Sequence, residues 1–191
     1  MNIAIINGTN RINNKTVLIS KTVEILIKKL GHTTHLLTLD YFDSLFRGKY
    51  IDYASANKNQ KKDIRKLIEA KLIFFVIPTY HSGIPSPLKN FLDILKCNEC
   101  YDEKVIALIA GSDHNQDLGA RQTMQVINGI LSYQKAKSFV IPRINIVNFN
   151  VSDATRLFDF IKYSVSFAKK YEQPHQSDLG HGRCDVDFCS I

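Results

Sequence analysis

No apolar run in these 191 residues approaches the roughly 20 that a membrane-crossing helix needs, so membrane residence is not expected. No basic leader with a small-residue cleavage site stands at the N-terminus. Residues 2–7 already read as a strand, which makes the cytoplasm the expected compartment. Zinc-finger spacing is missing, and so is an aromatic RNA-binding signature; nucleic acid is therefore not an expected partner. The chain has no Gly-Lys-Ser/Thr ending of a P-loop. It has no Gly-x-Gly-x-x-Gly either, which disfavours a nicotinamide dinucleotide bound in Rossmann fashion. There is no internal repeat and no low-complexity tract.

What is present is the composition of an ordinary soluble globule, 45% apolar and 23% charged, with length for one domain and a substantial core. The net charge of +7 suits solubility and the attraction of phosphorylated cofactors. Its densest basic stretch, Lys58, Lys61, Lys62, Arg65 and Lys66, has the spacing of a helix's wet face, with Ile64, Leu67 and Ile68 expected beneath. The four cysteines fall as Cys97…Cys100 and Cys184…Cys189. The first pair has the spacing of a redox dithiol or half a metal site, but it follows a helix rather than opening one. Two reduced thiols in a loop is the plainer reading.

Near-continuous apolar runs at 3–7, 72–77, 105–110 and 139–141, the last extended through Ile144–Val147, read as strands buried on both faces. A more polar run, 33–39, reads as an edge strand. Helical periodicity marks 16–30, 60–70, 87–96, 118–132 and 153–171. The first is expected to bury a stripe begun by Val17 and Leu18 and continued by Val23, Leu26, Ile27 and Leu30, with Gly31 as its C-terminal cap. Pro87 suits the first turn of the third, and Ser152-Asp153 reads as the N-cap of the last. The alternation predicts a three-layer α/β/α sandwich on a five-stranded parallel sheet of order 2-1-3-4-5. Residues 1–172 form this domain; 173–191 read as a tail. The aromatic stretch 40–58 has no clear period and is expected to wrap an edge or make subunit contacts.

In that topology the loops after Asn7, Ile77 and Ala110 converge where the strand order reverses. After Asn7 come Gly8, Thr9, Asn10, Arg11, Ile12, Asn13, Asn14, Lys15 and Thr16. Gly8 allows a tight turn, and the following helix offers amides and the positive end of its dipole. Thr9, Asn13, Asn14 and Thr16 bring hydrogen-bonding side chains, while Arg11 and Lys15 bring charge for a dianion. Taken alone this is equally an ordinary strand–helix turn with capping polar groups. After Ile77 come Pro78, Thr79, Tyr80, His81, Ser82 and Gly83, stiffened by Pro78 and Pro85, in which Gly83 permits close backbone approach. One loop suits phosphate and the other a flat ring, a combination that suggests a flavin.

Pro78-x-Tyr80-x-x-x-Ile84-Pro85-x-x-Leu88-Lys89-Asn90-x-x-Asp93, together with Gly8-Thr9-x-Arg11 and Thr16, resembles the NADPH-dependent FMN reductase family, which includes azoreductases, chromate reductases and quinone reductases. The resemblance spans residues 1 to about 170 in order and spacing and implies a flavodoxin-like fold. It implies that Thr9, Arg11, Asn14, Lys15 and Thr16 hold the FMN phosphate, that Pro78, Thr79, Tyr80, His81, Ser82 and Gly83 run along the ring, and that Gly111, Ser112 and Asp113, with His114, complete its pyrimidine side. Asn14 and Lys15 depart from the commoner Ser and Asn. The usual Gly-Gly after the fourth strand is here Ser112-Asp113, and the tail has no counterpart.

The implied activity is a ping-pong hydride transfer from NADPH or NADH, through FMN, to a small acceptor: a quinone, an azo compound, free flavin or a metal oxyanion. No acid, base or nucleophile of the chain is required, so no catalytic residue is named. A homodimer or homotetramer is implied as well. The competing reading is a flavodoxin-type electron carrier serving a protein partner; such carriers are generally acidic, and this chain is basic. A cysteine metal site and a recognition role for the tail stand as lesser alternatives.

Overall fold

In a computed structural model, residues 1–12, 14–96, 100–112, 117–134, 139–140, 144–147 and 151–171 are described. Ile3-Ala4-Ile5-Ile6 is apolar on both sides of the pleat, and both sides are buried. Ile3 and Ile5 pack with Leu72, Phe74 and Val76, then with Ile19, Val23 and Ile27 of one helix and Leu157, Ile161 and Val165 of another. Ala4 and Ile6 pack with Ile73, Phe75 and Ile77 against Ile64, Leu67, Leu88, Phe91, Leu92, Ile127 and Leu131. Burying each large aliphatic or aromatic side chain contributes about 1.5–3 kcal/mol, so two such layers make the sheet the thermodynamic centre of the chain.

The strands are β1 (Asn2–Asn7), β2 (Thr33–Leu37), β3 (Leu72–Pro78), β4 (Val105–Ser112), β5 (Phe139–Val140) and β6 (Ile144–Val147). The helices are α1 (Lys15–Lys29), α2 (Lys58–Glu69), α3 (Ser86–Ile94), α4 (Asp117–Gln134) and α5 (Val151–Lys170). Every pairing is parallel, in the order β2-β1-β3-β4, with β5 and β6 both on the far edge of β4. α1 and α5 cover one face; α2, α3 and α4 cover the other. The expected order therefore holds, but the fifth place is filled by two short strands instead of one. β4 advances from Ile106 to Ile109 while its neighbour goes from Val140 to Ile144, a surplus of one residue.

Two expectations about helix faces and one about a helix start are corrected. On α1, Leu18 is 64% exposed and Ile19 takes its place in the core. On α2, Ile68 is 39% exposed, whereas Gln60 and Asp63 are buried. The cause is the polar edge strand: Asp63 Oδ1 lies 2.8 Å from Nε2 of His35 on β2, so the helix turns that side inward. α5 begins at Val151, which puts Asp153 inside the first turn, where a carboxylate still favours the dipole. Gly31 does follow α1 with φ 77°, its N–H bonded to the Lys28 carbonyl.

The aperiodic 40–58 stretch sends Phe42 and Ala56 into the core, with Phe46 and Ile51 packed against it, while Tyr41, Leu45, Tyr50 and Tyr53 stay exposed. It opens with a 3-10 turn, Leu39–Tyr41, and Phe42 meets Phe91 edge-on at 4.8 Å between centroids. Asn90 accepts the Phe46 N–H at 2.9 Å and donates to the carbonyls of Phe42 and Ser44, both at 3.0 Å. Cys100 is also inside this core beside Tyr101, whose phenol is pushed well above its usual range by burial and then by the neighbouring thiol. Cys97, Cys184 and Cys189 lie outside the described residues, as does the tail 173–191. Replacing Phe42 by Ala is expected to cost about 3–4 kcal/mol in urea unfolding. A loss under about 1 kcal/mol would show that 40–58 only drapes the core.

Candidate functional site at the carboxyl edge of the sheet

The pairing of β1 with β3 sets Asn7 beside Val76, and that of β3 with β4 sets Pro78 beside Gly111. The three strands therefore discharge their loops at one edge. Gly8 extends the ladder by one bond, its N–H donating to the Val76 carbonyl at 2.8 Å. A Cβ at Gly8 would stand 3.0 Å from that oxygen, 3.2 Å from Leu88 Cδ2 and 3.3 Å from Ile77 Cα, so any side chain there would crowd the β3 backbone. Asn7, buried, donates Nδ2 to the Thr9 carbonyl at 2.9 Å, and its Oδ1 lies 3.5 Å from Ser20 Oγ. An Asn at the end of an apolar strand was the signal for this brace, and sequence reading passed over it.

Thr9 is buried. Its hydroxyl accepts the Arg11 N–H at 3.2 Å and lies 3.2 Å from the Tyr80 hydroxyl, joining the first loop to the second across 71 residues. Asn14 is the N-cap of α1: its Oδ1 accepts the Val17 N–H at 2.8 Å, and its Nδ2 donates to the Arg11 carbonyl. The Asn14 side chain is thus committed within the loop. Thr16 is buried in the first turn, whereas Arg11 and Lys15 are exposed. No acidic residue occupies that turn. A helix N-terminus of this kind, flanked by two cations, suits an anion.

The second loop leaves β3 with the Thr79 N–H donating to the Gly111 carbonyl at 2.9 Å. Tyr80 and Gly83 then close a two-residue turn by reciprocal bonds, Gly83 N–H to Tyr80 O at 2.9 Å and Tyr80 N–H to Gly83 O at 3.2 Å. Inside it His81 (φ 49°) and Ser82 (φ 59°) are both left-handed, the mark of a type I′ turn. Glycine or asparagine is the usual occupant, and an L side chain there costs about 1–2 kcal/mol. Sequence reading assigned the backbone freedom to Gly83. The structure places it one and two residues earlier, since a Cβ at Gly83 would meet only Tyr80 O at 3.6 Å. Strain held in a loop at a switch point marks a site shaped for something other than stability. Gly111 and Ser112 end β4 beside this loop; Asn13, Asp113 and His114 lie outside the described residues.

A basic helix start beside a rigid turn, at the reversal of a parallel sheet, fits a phosphorylated ligand with a flat ring. The class of protein is that of doubly wound, flavodoxin-like domains. Within it, the chain belongs to the NADPH-dependent FMN reductase family, whose profile matches residues 1–145. Membership makes FMN the cofactor, a reduced nicotinamide dinucleotide the donor and small-molecule reduction the activity. The fold is similar to that of an NADH:FMN oxidoreductase, EmoB, in its apo form (TM-score 0.73, 19% identity, 97% of this chain and 98% of that one). It is also similar to FerB, a flavoenzyme NAD(P)H:(acceptor) oxidoreductase from Paracoccus denitrificans (TM-score 0.68, 15% identity, 88% and 97%). A flavodoxin from the domain Archaea is similar too (TM-score 0.59, 13% identity, 90% and 98%). Among the described residues no helix is long and apolar enough to cross a membrane, and no cluster of His, Cys, Asp and Glu is arranged for a metal.

The Thr9–Tyr80 contact yields a direct test. In a double-mutant cycle of Thr9→Val and Tyr80→Phe, unfolding free energies are expected to show a coupling of about 1 kcal/mol. Strict additivity would mean that the two loops meet without this bond.

Proposed function

We propose that the protein is an NAD(P)H-dependent FMN oxidoreductase that reduces a small electrophilic acceptor, a quinone, azo compound, free flavin or metal oxyanion, with donor and acceptor using one site in turn. The observation that carries this reading is the Thr9–Tyr80 link, which makes the basic loop and the strained turn walls of a single crevice. FMN, when bound, supplies the two-electron chemistry. The chain's own work is to bind, orient and exclude water. Arg11 and Lys15, with the first-turn amides of α1, neutralise the phosphate, and Asn13 lies in the same loop. Thr9 and Asn14 act indirectly, since their side chains hold the loop's shape, and Thr16 is its buried footing. Pro78 through Gly83 give the ring a stiff edge, and Gly111, Ser112 and Asp113 close its far end. Fixed backbone dipoles in such a site favour the electron-rich form of the ring at no reorganisation cost. No side chain is assigned as acid, base or nucleophile.

The charge of +7 favours anionic donors over the partners of an electron carrier. We read residues 1–172 as the catalytic domain with 173–191 appended to it. The protein is taken as cytoplasmic, with neither membrane nor nucleic acid as a partner. Assembly into a homodimer or homotetramer has a suitable face: a groove of about 350 Å³ lined by Phe46, Tyr50, Leu92, Leu95, Ile130 and Tyr133. Tyr133 is 89% exposed, and among the described residues the groove's charges are the paired Lys89 and Asp93.

Anaerobic mixing of the FMN-loaded protein with NADPH or NADH is expected to bleach the band near about 450 nm within seconds. Arg11→Ala should weaken FMN binding about tenfold. Absence of reduction by either nucleotide would leave the electron-carrier reading. Sizing of the wild type should give an oligomer that Tyr133→Glu dissociates; a wild-type monomer at micromolar concentration would remove the assembly.

A further inference from the structure

Thr123, which sequence reading left unassigned, is wholly buried on α4 among Ala120, Met124 and Ile127. Its hydroxyl lies 3.2 Å from Thr79 Oγ1, 3.2 Å from the Gly83 carbonyl and 2.9 Å from the Gly119 carbonyl of its own helix. A hydroxyl has one proton and two lone pairs, so Thr123 can donate to a carbonyl while accepting from Thr79. Both partners outside the helix belong to the loop that carries the left-handed turn. One helical turn earlier, a Cβ at Gly119 would stand 3.1 Å from Thr79 Cγ2 and 3.3 Å from Ser82 Oγ. Two positions on one face of α4 therefore meet the loop, one by its hydroxyl and the other by its lack of a side chain. Their i, i+4 spacing puts them on the same side of the helix.

We propose that this face of α4 is a positioning device: Thr123 and Gly119 seat the Tyr80–Gly83 turn, hold His81 and Ser82 left-handed, and so set how the turn meets the flavin. Only the last clause rests on the FMN reading above; the seat is a property of the chain itself. A turn with two L residues in the left-handed region persists only when its surroundings over-determine it. Reciprocal bonding between Tyr80 and Gly83 closes the turn but does not tie it to the domain. Thr123 does, because the carbonyl it approaches is the one that accepts the Tyr80 N–H.

The test uses the full chain as wild type, Thr123→Val, Thr123→Ser and Gly119→Ala, with and without FMN. In the FMN-free protein, the Gly83 amide is expected to exchange about tenfold faster in Thr123→Val, with Thr123→Ser close to wild type. With FMN, Thr123→Val should weaken binding about tenfold and move the flavin potential, and the serine variant should restore both. Gly119→Ala suits a helix better than glycine does, so it should weaken FMN binding while its thermal midpoint does not fall. Unchanged Gly83 exchange in Thr123→Val would overturn the seat, as would a serine variant indistinguishable from valine. So would loss of protection spread evenly over the sheet, which marks general destabilisation. Faster Gly83 exchange with unaltered FMN affinity and potential would overturn the link to the flavin. A wild type that takes up no FMN would sink the functional reading, while the exchange comparison still decides the seat.

Discussion

The site depends on one constraint, the parallel pairing of β1 with β3 continued by a single extra bond from Gly8 to Val76. Right-handed crossovers from β1 lead outward to β2, and the return to β3 lands on the other side of β1, so the connections diverge at this seam. Diverging connections of this kind are where doubly wound sheets open a crevice at the carboxyl ends of their strands. The phosphate-type loop and the turn loop begin on its two sides because their strands are hydrogen-bonded neighbours. Gly8 is where this geometry constrains identity most tightly, since a Cβ there would press on the backbone of β3.

Around that seam, stability and shape are divided between different residues. The apolar layers on both faces of the sheet are ordinary close packing and supply the folding free energy. The loops contribute polar braces instead: Asn7 to Thr9, Thr9 to Tyr80 and Asn14 to Val17. Each adds about 1 kcal/mol, but together they leave the backbone of both loops little freedom. The left-handed His81 and Ser82 draw on that surplus. A flavin site benefits from such rigidity, because oriented dipoles work only if they need not reorganise.

Much of this was legible in the residues, and the misses share a cause. Continuous apolar runs identified β1, β3 and β4 and hence the layered architecture, because burial on both faces removes polar residues from a strand. Helix faces were read less well. Leu18 and Ile68 are as hydrophobic as the residues that displaced them, and only the neighbours of α1 and α2 decide which side turns inward. Phe42 and Cys100 read as loop residues because no period surrounds them, yet both are buried in the core, Phe42 against Phe91 of α3. The strained turn was missed because propensity points to Gly83, whereas position in the turn places the positive φ at His81 and Ser82.

Local composition was enough to determine the class of fold, the strand order and the two special loops that leave neighbouring strands at the same edge of the sheet. Tertiary structure alone decided which polar atoms of these loops are already committed to partners within the chain. Thr9 and Asn14 stand out in sequence as polar loop residues, and in space the first links the two loops, the second caps α1, and Thr16 is buried beside them. Thr123, silent in sequence, stands against the turn. A hydrogen bond joins atoms by distance, and residues 40 or 71 positions apart acquire a distance only when the sheet brings them together.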